Sequence, residues 1–418
     1  VITVIVPVYR GHEETRRCLD SVLAARVSEP HRLVVVDDAT PDPPIAEYLR
    51  GLAAAGRIQL ITHADNRGFV HSVNDALAAR TEGPVVLLNS DTEVAEGWLD
   101  RLADCARREA ATGTVTPFSN NATICSYPRV HESNRLPEGM TTAGLDRIFS
   151  TVNAGKSVEI PTAVGFCMFI TEECLRAVGP LDAGAFGRGY GEEVDFCMRA
   201  TRAGFRHRLA GDVFVFHAGE VSFGGDGAER RRAAQQVIDR RYPEYLAGLR
   251  DYLDREPARE LRRAIDRERL RRSPRPRTLL VANRGGSPPR TVASLPRGLD
   301  PAHDEILALF TGNGPAAVLM WLSEAEEYEF AMPSRHDLVE LGPLLRELGV
   351  AHVHLQDIGS LPADVLALPG AIVAQARNET LLERERDAAL ARVRAIEAST
   401  SWKITAPLRS LVRLLRGH

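Results

Sequence analysis

Pro84-Val-Val-Leu-Leu-Asn-Ser-Asp-Thr-Glu-Val94 is the stretch on which the fold turns. Val85 to Leu88 form a short, wholly apolar run, the pattern of a strand buried on both faces of a parallel sheet. The run stops abruptly at Asn89, Ser90 and Asp91, with Thr92 and Glu93 behind them. Oxygen-bearing side chains at the carboxyl end of a buried strand stand where open α/β sheets bind their ligands. They are also hard donors of the kind that Mg²⁺ and Mn²⁺ prefer. Asp91 is therefore a candidate ligand for a divalent cation, which would in turn hold a diphosphate. A local reading competes with it: Asp91 caps a helix running near Glu96–Arg108.

Upstream of this stretch, strand and helix alternate. Val1-Ile-Thr-Val-Ile-Val6 reads as the first strand, closed by Pro7. Gly11–Arg26 carries Leu19, Val22 and Leu23 on one stripe and reads as a helix. Leu33–Val36 is a second strand, ending in Asp37-Asp38, and Ile58–Ile61 a third, with helices at Ile45–Ala55 and Phe69–Ala79. Such alternation over about 110 residues predicts right-handed βαβ crossovers and a doubly wound parallel sheet. Both acidic strand ends then share one edge. A crevice opens at the switch point if the fourth strand lies beside the first. The first strand is followed by Val6-Pro7-Val8-Tyr9-Arg10 and not by GxGxxG, which argues against a dinucleotide-binding dehydrogenase. The glycine-rich opening of sugar nucleotidyltransferases is absent as well.

Composition narrows the class. A length of 418 residues suits two to three domains, and 44% hydrophobic with 26% charged residues is ordinary for a globular chain. A formal charge of -4 argues against a nucleic-acid binder. The six cysteines form no CxxC pair and no metal-ligand rhythm, which suits a reducing compartment and a cytoplasmic protein. No apolar run approaches the ~20 residues of a membrane span, and no signal peptide is visible.

Downstream, the periodicity weakens from Thr112 to Pro161. Pro117–Pro128 is crowded with small polar residues, which read either as a surface loop of nested turns or as the lip of a pocket. In the second case Asn120 and Asn121 would offer amide groups to a sugar. Val164–Ile170 is a further strand and Glu172–Val178 a short helix. A second chemical stretch follows, Gly187-Arg-Gly-Tyr-Gly-Glu-Glu-Val-Asp-Phe-Cys-Met-Arg199. Glu192, Glu193 and Asp195 stand at a helix start, where acids complement the positive end. Capping accounts for that much, but glycines ahead of the acids also let the backbone approach a ligand. Phe196, Met198 and Phe205 read as core. Val213–Phe216 is a strand ending in His217. A lone histidine there is usually a satisfied polar residue, but two acidic stations precede it, and His217 joins Asp91 as a candidate metal ligand.

These stations, taken in order, resemble the inverting glycosyltransferases of family 2, which have the GT-A fold. The resemblance covers Val1 to about Tyr252 and rests on Val6-Pro7-Val8-Tyr9, Val36-Asp37-Asp38, Asn66-Arg67-Gly68-Phe69 with Asn74, Leu88–Thr92, Gly165-Phe166, Gly191–Asp195 and Phe216-His217. The Asn120-Asn121 loop and Gly187–Phe196 resemble the bacterial polysaccharide branch, including rhamnosyltransferase-like members. The resemblance implies a nucleoside-diphosphate sugar donor and a glycan or lipid-linked glycan acceptor. It implies that Asp37 and Asp38 contact the nucleoside, with Pro7, Tyr9, Asn66, Arg67, Gly68, Asn89 and Ser90 also on the donor side. Asp91 and His217 would hold Mg²⁺ or Mn²⁺. Glu193 would be the base, with Asn120, Asn121, Glu192 and Asp195 on the acceptor side. Two positions depart from the family pattern: Glu193 stands where an Asp is usual, and Asn89 where many members carry an acid. A non-catalytic carbohydrate-binding scaffold on the same fold is the rival reading.

The expected boundaries are a GT-A domain over 1–252, a charged helical linker over 253–277, a small Rossmann-like α/β domain over 278–375, and a helical tail over 376–418. The linker alternates arginines with acids, as solvated helices do. Thr278–Ala282, Ile306–Phe310, Ala317–Trp321 and Ala351–Leu355 read as strands and Leu338–Leu348 as a helix. This part loosely resembles the first half of a GT-B glycosyltransferase. In the tail, 399–418 is basic and amphipathic with Trp402 at its start. It suits either the anionic inner face of a plasma membrane or a helix packed on protein.

Overall fold

The computed structural model describes residues 1–187, 189–219, 227–284, 303–312, 317–322, 327–332, 345–355 and 371–373. The chain divides into two compact units, Val1–Arg269 and Leu270–His418.

The first unit opens with β1 (Ile2–Val8), α1 (His12–Ala24), β2 (His31–Asp37), α2 (Pro43–Ala54), β3 (Gln59–Thr62), α3 (Phe69–Ala79) and β4 (Val85–Leu88). It continues through β5 (Thr92–Glu93), α4 (Trp98–Arg108), β6 (Thr112–Phe118), α5 (Thr142–Val152), β7 (Ser157–Ile160) and β8 (Cys167–Ile170). Then come α6 (Glu172–Val178), α7 (Ala183–Phe186), α8 (Glu192–Arg202), β9 (Arg206–Phe214), β10 (Phe216–His217), α9 (Gly227–Arg241), α10 (Tyr245–Arg255) and α11 (Arg259–Arg272).

Eight strands make one sheet in the order β3-β2-β1-β4-β8-β6-β9-β7. β3, β2, β1 and β4 are mutually parallel, and β8 and β7 are the strands that run against the rest. The expected mostly parallel, doubly wound sheet is therefore present, with β4 beside β1. Why the central strands are apolar at every position follows from the two layers around them. Val4, Val6, Val35, Val86 and Leu88 enter one core with α1, α2, α4 and α5. Ile5, Val34, Val36, Val85 and Leu87 enter another with α3, α6, α8 and α9. Side chains alternate between faces, so a strand with helices on both sides has no solvent side.

Several expectations change. Residues 117–128 are not a surface loop: Ser119, Asn120, Ala122, Ile124, Cys125 and Tyr127 are buried. β6, α5 and β7 fall where the periodicity had seemed to fade. β6 buries Thr112, Thr114 and Thr116, and hydroxyls inside a sheet erase the hydropathy signal. The helical stretch 253–277 is not a solvated linker, because Ala258, Leu261 and Ile265 lie in the first core. There α11 also offers Asp266, whose carboxylate accepts the Tyr127 hydroxyl at 2.6 Å.

The second unit holds β11 (Arg277–Arg284), β12 (Glu305–Gly312), β13 (Ala317–Leu322), β14 (Glu327–Met332), β15 (Val350–Leu355) and β16 (Ala371–Val373). They form one sheet ordered β14-β13-β12-β11-β15-β16. β12, β11, β15 and β16 are parallel and the β13–β14 hairpin is antiparallel. The four strands read from the sequence are present, while β14 and β16 were not anticipated. The buried Glu305 accepts hydrogen bonds from the Trp321 indole at 2.8 Å, Arg275 Nε at 2.9 Å and Ser273 at 2.5 Å. Most of the expected helix at 338–348, the turn at Gly285-Gly286 and the whole tail 376–418 lie outside the described residues. All six cysteines are buried and free. Among the described residues no helix is long and apolar enough to cross a membrane.

Candidate active site

The site is assembled at the carboxyl edge of β4. Past Leu88 the chain turns, and the Thr92 hydroxyl closes the turn by donating to the Asn89 carbonyl at 2.8 Å. β5 then pairs antiparallel with β10, setting His217 opposite Thr92 and Phe216 opposite Glu93. This two-residue ribbon carries Asp91 to His217. The Asp91 Oδ1 lies 3.4 Å from His217 Nε2, and its Oδ2 accepts the Gly219 amide at 2.9 Å. The helix-cap reading fails on the same facts: α4 starts after Gly97, with no side-chain cap.

His217 is oriented from behind. Its Nδ1 bonds the Asn121 carbonyl at 2.7 Å and therefore carries the proton, which leaves Nε2 facing Asp91. That is how proteins set the tautomer of a ligating histidine. Asn120 grips the same residue by the backbone, accepting the His217 amide at 2.8 Å and donating to its carbonyl at 3.0 Å. The Phe166 ring stacks on the imidazole at a centroid distance of 5.3 Å. Burial opposes the charge on Asp91, but His217 and the Gly219 amide outweigh it and hold the carboxyl below its usual value. For His217 burial likewise disfavours the charged ring, and Asp91 beside it turns the net shift upward.

These donors fit a divalent cation of a particular kind. Among the described residues no group of three or more His, Cys, Asp or Glu side chains is arranged to hold a metal ion. One carboxylate and one imidazole leave most of a coordination sphere to other oxygens. Mg²⁺ in phosphate-handling sites commonly takes one or two carboxylates plus substrate phosphates and water. The residues therefore suit an ion shared with a diphosphate.

The second pole is Glu193, in the first turn of α8. Gly191 precedes the helix with φ 83, and a Cβ there would press on Phe186 at 3.1 Å and Ala234 at 3.3 Å. Glu193 lies against Gly165, whose notional Cβ would be 3.7 Å from Glu193 Cβ, an ordinary contact. Phe166, the next residue, meets His217 and accepts the Asn89 amide at 2.8 Å. Adjacent residues thus touch the two poles. Burial raises the Glu193 carboxyl, tempered by nearby backbone amides. Glu192 is raised further, by burial and then by the charge of Glu193. Its Oε2 is buried without a hydrogen-bond partner.

On the donor side the structure separates two aspartates. Asp38 spends its carboxylate on the protein: Oδ1 accepts the Arg67 amide at 2.8 Å and faces His63 Nδ1 at 2.8 Å, while Oδ2 accepts the Gly68 amide at 2.7 Å. It builds the 66–68 turn. Asp37 makes one such bond, from Oδ1 to the Thr40 amide at 2.8 Å. Arg67 is paired with Asp75, and Asn66 lies beside the Asp38 carbonyl at 3.5 Å. Pro7 and Tyr9 are half-buried at the end of β1, and Arg10 lies over the Tyr9 ring. Ser90 is buried and Asn89 half-buried.

Three of the acceptor-side expectations are corrected. Asn120 has no amide to spare for a sugar, since Nδ2 also donates to the Asn134 carbonyl at 3.1 Å. Asp195 is fully buried and bound to Arg199, Arg241 and the Tyr242 hydroxyl at 2.8, 2.8 and 2.7 Å, so it anchors α9. Glu192 is buried beneath Glu193 in exposure, at 7%. Asn74, part of the family pattern, clasps the Leu181 backbone in both directions at 2.8 and 3.0 Å. Sequence reading missed Gly219 and the clamp on His217. The signal available was Asn-Asn between prolines, which marks a turn without saying what the turn holds.

Residues 3–177 match the model of the glycosyl transferase family 2. The pre-mycofactocin glycosyltransferase of Mycobacterium tuberculosis is 29% identical over 220 residues, 52% of this chain and 42% of that one. The glycosyltransferase AglE of Haloferax volcanii is 22% identical over 218 residues, 52% of this chain and 66% of its own length. The matched region thus spans less than half of the mycobacterial relative. A crystal structure of GalNAc-T7 with UDP, GalNAc and Mn²⁺ aligns over 64% of this chain and 54% of its own, at 16% identity and a TM-score of 0.43.

Proposed function

From the premise that residues 3–177 are a family 2 glycosyl transferase domain, we propose that this chain transfers a sugar from a nucleoside diphosphate to a hydroxyl, inverting the anomeric carbon. The observation that carries the reading is the meeting of two poles on Gly165-Phe166: Asp91 with His217 on one side, Glu193 on the other. The named relatives, which are glycosyltransferases, support the reaction class.

Each pole has a task. Breaking the glycosidic bond leaves negative charge on the diphosphate, and a bound Mg²⁺ or Mn²⁺ supplies Lewis-acid stabilisation there. Asp91 and His217 would hold that ion, and the Asn121 carbonyl keeps the histidine in the ligating tautomer. Glu193 removes the acceptor's proton as its oxygen attacks the anomeric carbon. A raised pKa makes it a stronger base than an ordinary carboxylate. Attack from the face opposite the leaving group inverts the centre. Asp37 and the 66–68 turn would receive the nucleoside. The acceptor is a growing surface polysaccharide or a lipid-linked glycan, handled at the cytoplasmic face of the membrane.

The test is a panel of nucleoside-diphosphate sugars with Mn²⁺, following diphosphate release and the anomeric configuration of the product. Glu193→Gln lowers turnover by about 10²–10⁴-fold with donor binding retained. Asp91→Asn weakens Mn²⁺ and donor together. Near-normal turnover in Glu193→Gln would remove the base from the scheme.

A further inference from the structure

We propose that Tyr127 and Asp266 are positioning residues for His217, so that α11 completes the catalytic unit. The proposal rests on the reading of His217 as a cation ligand, and α11 lies beyond the residues that match the family model.

The connection can be followed bond by bond. Asp266 Oδ1 accepts the Tyr127 hydroxyl at 2.6 Å, and Arg269 donates to the same hydroxyl oxygen at 3.0 Å. The Tyr127 ring is 1% exposed and packs edge-on against Phe149 at 5.1 Å. Tyr127 is thus fixed at both ends, by core packing and by a charge-assisted hydrogen bond. Its amide donates to the Ser119 carbonyl at 2.7 Å, and the Ser119 amide donates to the Cys125 carbonyl at 3.1 Å. The Ser126 hydroxyl accepts the Ala122 amide at 2.8 Å. These bonds close 119–127 into a compact loop with Asn120 and Asn121 at its front. Those two residues hold the His217 backbone and Nδ1. Asn134 secures the far side by donating its amide to the Asn120 carbonyl at 2.9 Å.

A buried hydroxyl satisfied by an acid is also what plain packing would need. The difference lies in where a loss is felt. If Tyr127 only fills the core, removing its hydroxyl lowers stability and leaves the clamp unchanged. If it positions the loop, the clamp loosens.

The experiment uses the full chain with Tyr127→Phe, Asp266→Ala and Asp266→Asn, and with Ile238→Val in the other core layer as a stability control. Affinity for Mn²⁺ alone is measured by titration calorimetry, and backbone hydrogen exchange is followed at the amides of His217 and Asn134. Tyr127→Phe and Asp266→Ala are expected to weaken Mn²⁺ about 3- to 10-fold, less than the roughly 10–100-fold of a group bonded directly to a ligand. Both also speed exchange at the two amides. Asp266→Asn, which still accepts the hydroxyl, stays near wild type, and Ile238→Val moves neither readout. Wild-type exchange and Mn²⁺ affinity in Tyr127→Phe overturn the proposal. Faster exchange together with Mn²⁺ affinity that even Asp91→Asn leaves unchanged upholds the positioning and overturns the metal assignment instead.

Discussion

At the scale of residues, the site includes one position, Gly219, where an added side chain meets both strain and a neighbour. Gly219 has φ 75, and a Cβ there would fall 2.0 Å from Asn121 Nδ2. The left-handed backbone costs an ordinary residue about 1–2 kcal/mol. The same residue donates its amide to Asp91. Gly219→Ala is therefore expected to weaken Mn²⁺ binding in calorimetric titration. Adding Asn121→Ser, which keeps the carbonyl that holds His217, should recover part of the loss. An undiminished affinity in the single variant would mean that the Gly219 contact is dispensable. Asp91, Glu193 and His217 stand out in the sequence because acids and histidines at strand and helix ends are conspicuous, and the fold sets Asp91 beside His217. Asn120 and Asp195 were misread for a related reason. Polar side chains near a site look like ligand contacts until the structure reveals that they are bonded to the protein.

At the scale of elements, legibility followed hydropathy. β1 to β4 stood out as short apolar runs, and α1 to α3 because their apolar positions recur at the helical period. β6 did not, since three of its seven positions, all of them buried, are threonines. One of them, Thr114, pairs with His207 across β6 and β9, with its hydroxyl 2.7 Å from Nδ1. The Nε2 of His207 donates to the Cys197 carbonyl at 3.0 Å, joining β9 to α8. Burial drives this histidine down from 6.5 to about 4. The folded chain keeps it neutral in a range where the unfolded chain protonates it. Its contribution is complete above pH 6.5 and is lost as the pH falls towards 4. The loss amounts to about 3 kcal/mol by linkage. Urea midpoints measured from pH 7 down to 4.5 should fall accordingly, and His207→Gln should flatten the dependence. An equal slope in the variant would assign it to other groups. Helix α11 was misjudged from its charge: arginines dominate the count, while Leu261, Ile265 and Leu270 are buried.

At the scale of the whole molecule, the second unit's sheet contains the four strands read from 278–375 and two that were not, β14 and β16, and the first unit runs past the expected boundary to Arg269. Nothing in the composition marks that boundary, because α11 is equally charged before and after it. The β5–β10 ribbon has a consequence in time. Asp91 meets Gly219 across 128 positions of chain. The earlier strands can pair while the ribosome is still working, but the proposed cation site has only half its walls until Phe216 and His217 have been translated. Stalled nascent chains ending before Phe216 should therefore fail to retain Mn²⁺, and those released well past it should hold the ion. Uptake by the shorter chains would show that the later segment is not needed. Ion capture would then be among the last events in the maturation of this unit, a mark that its two distant halves have closed on each other.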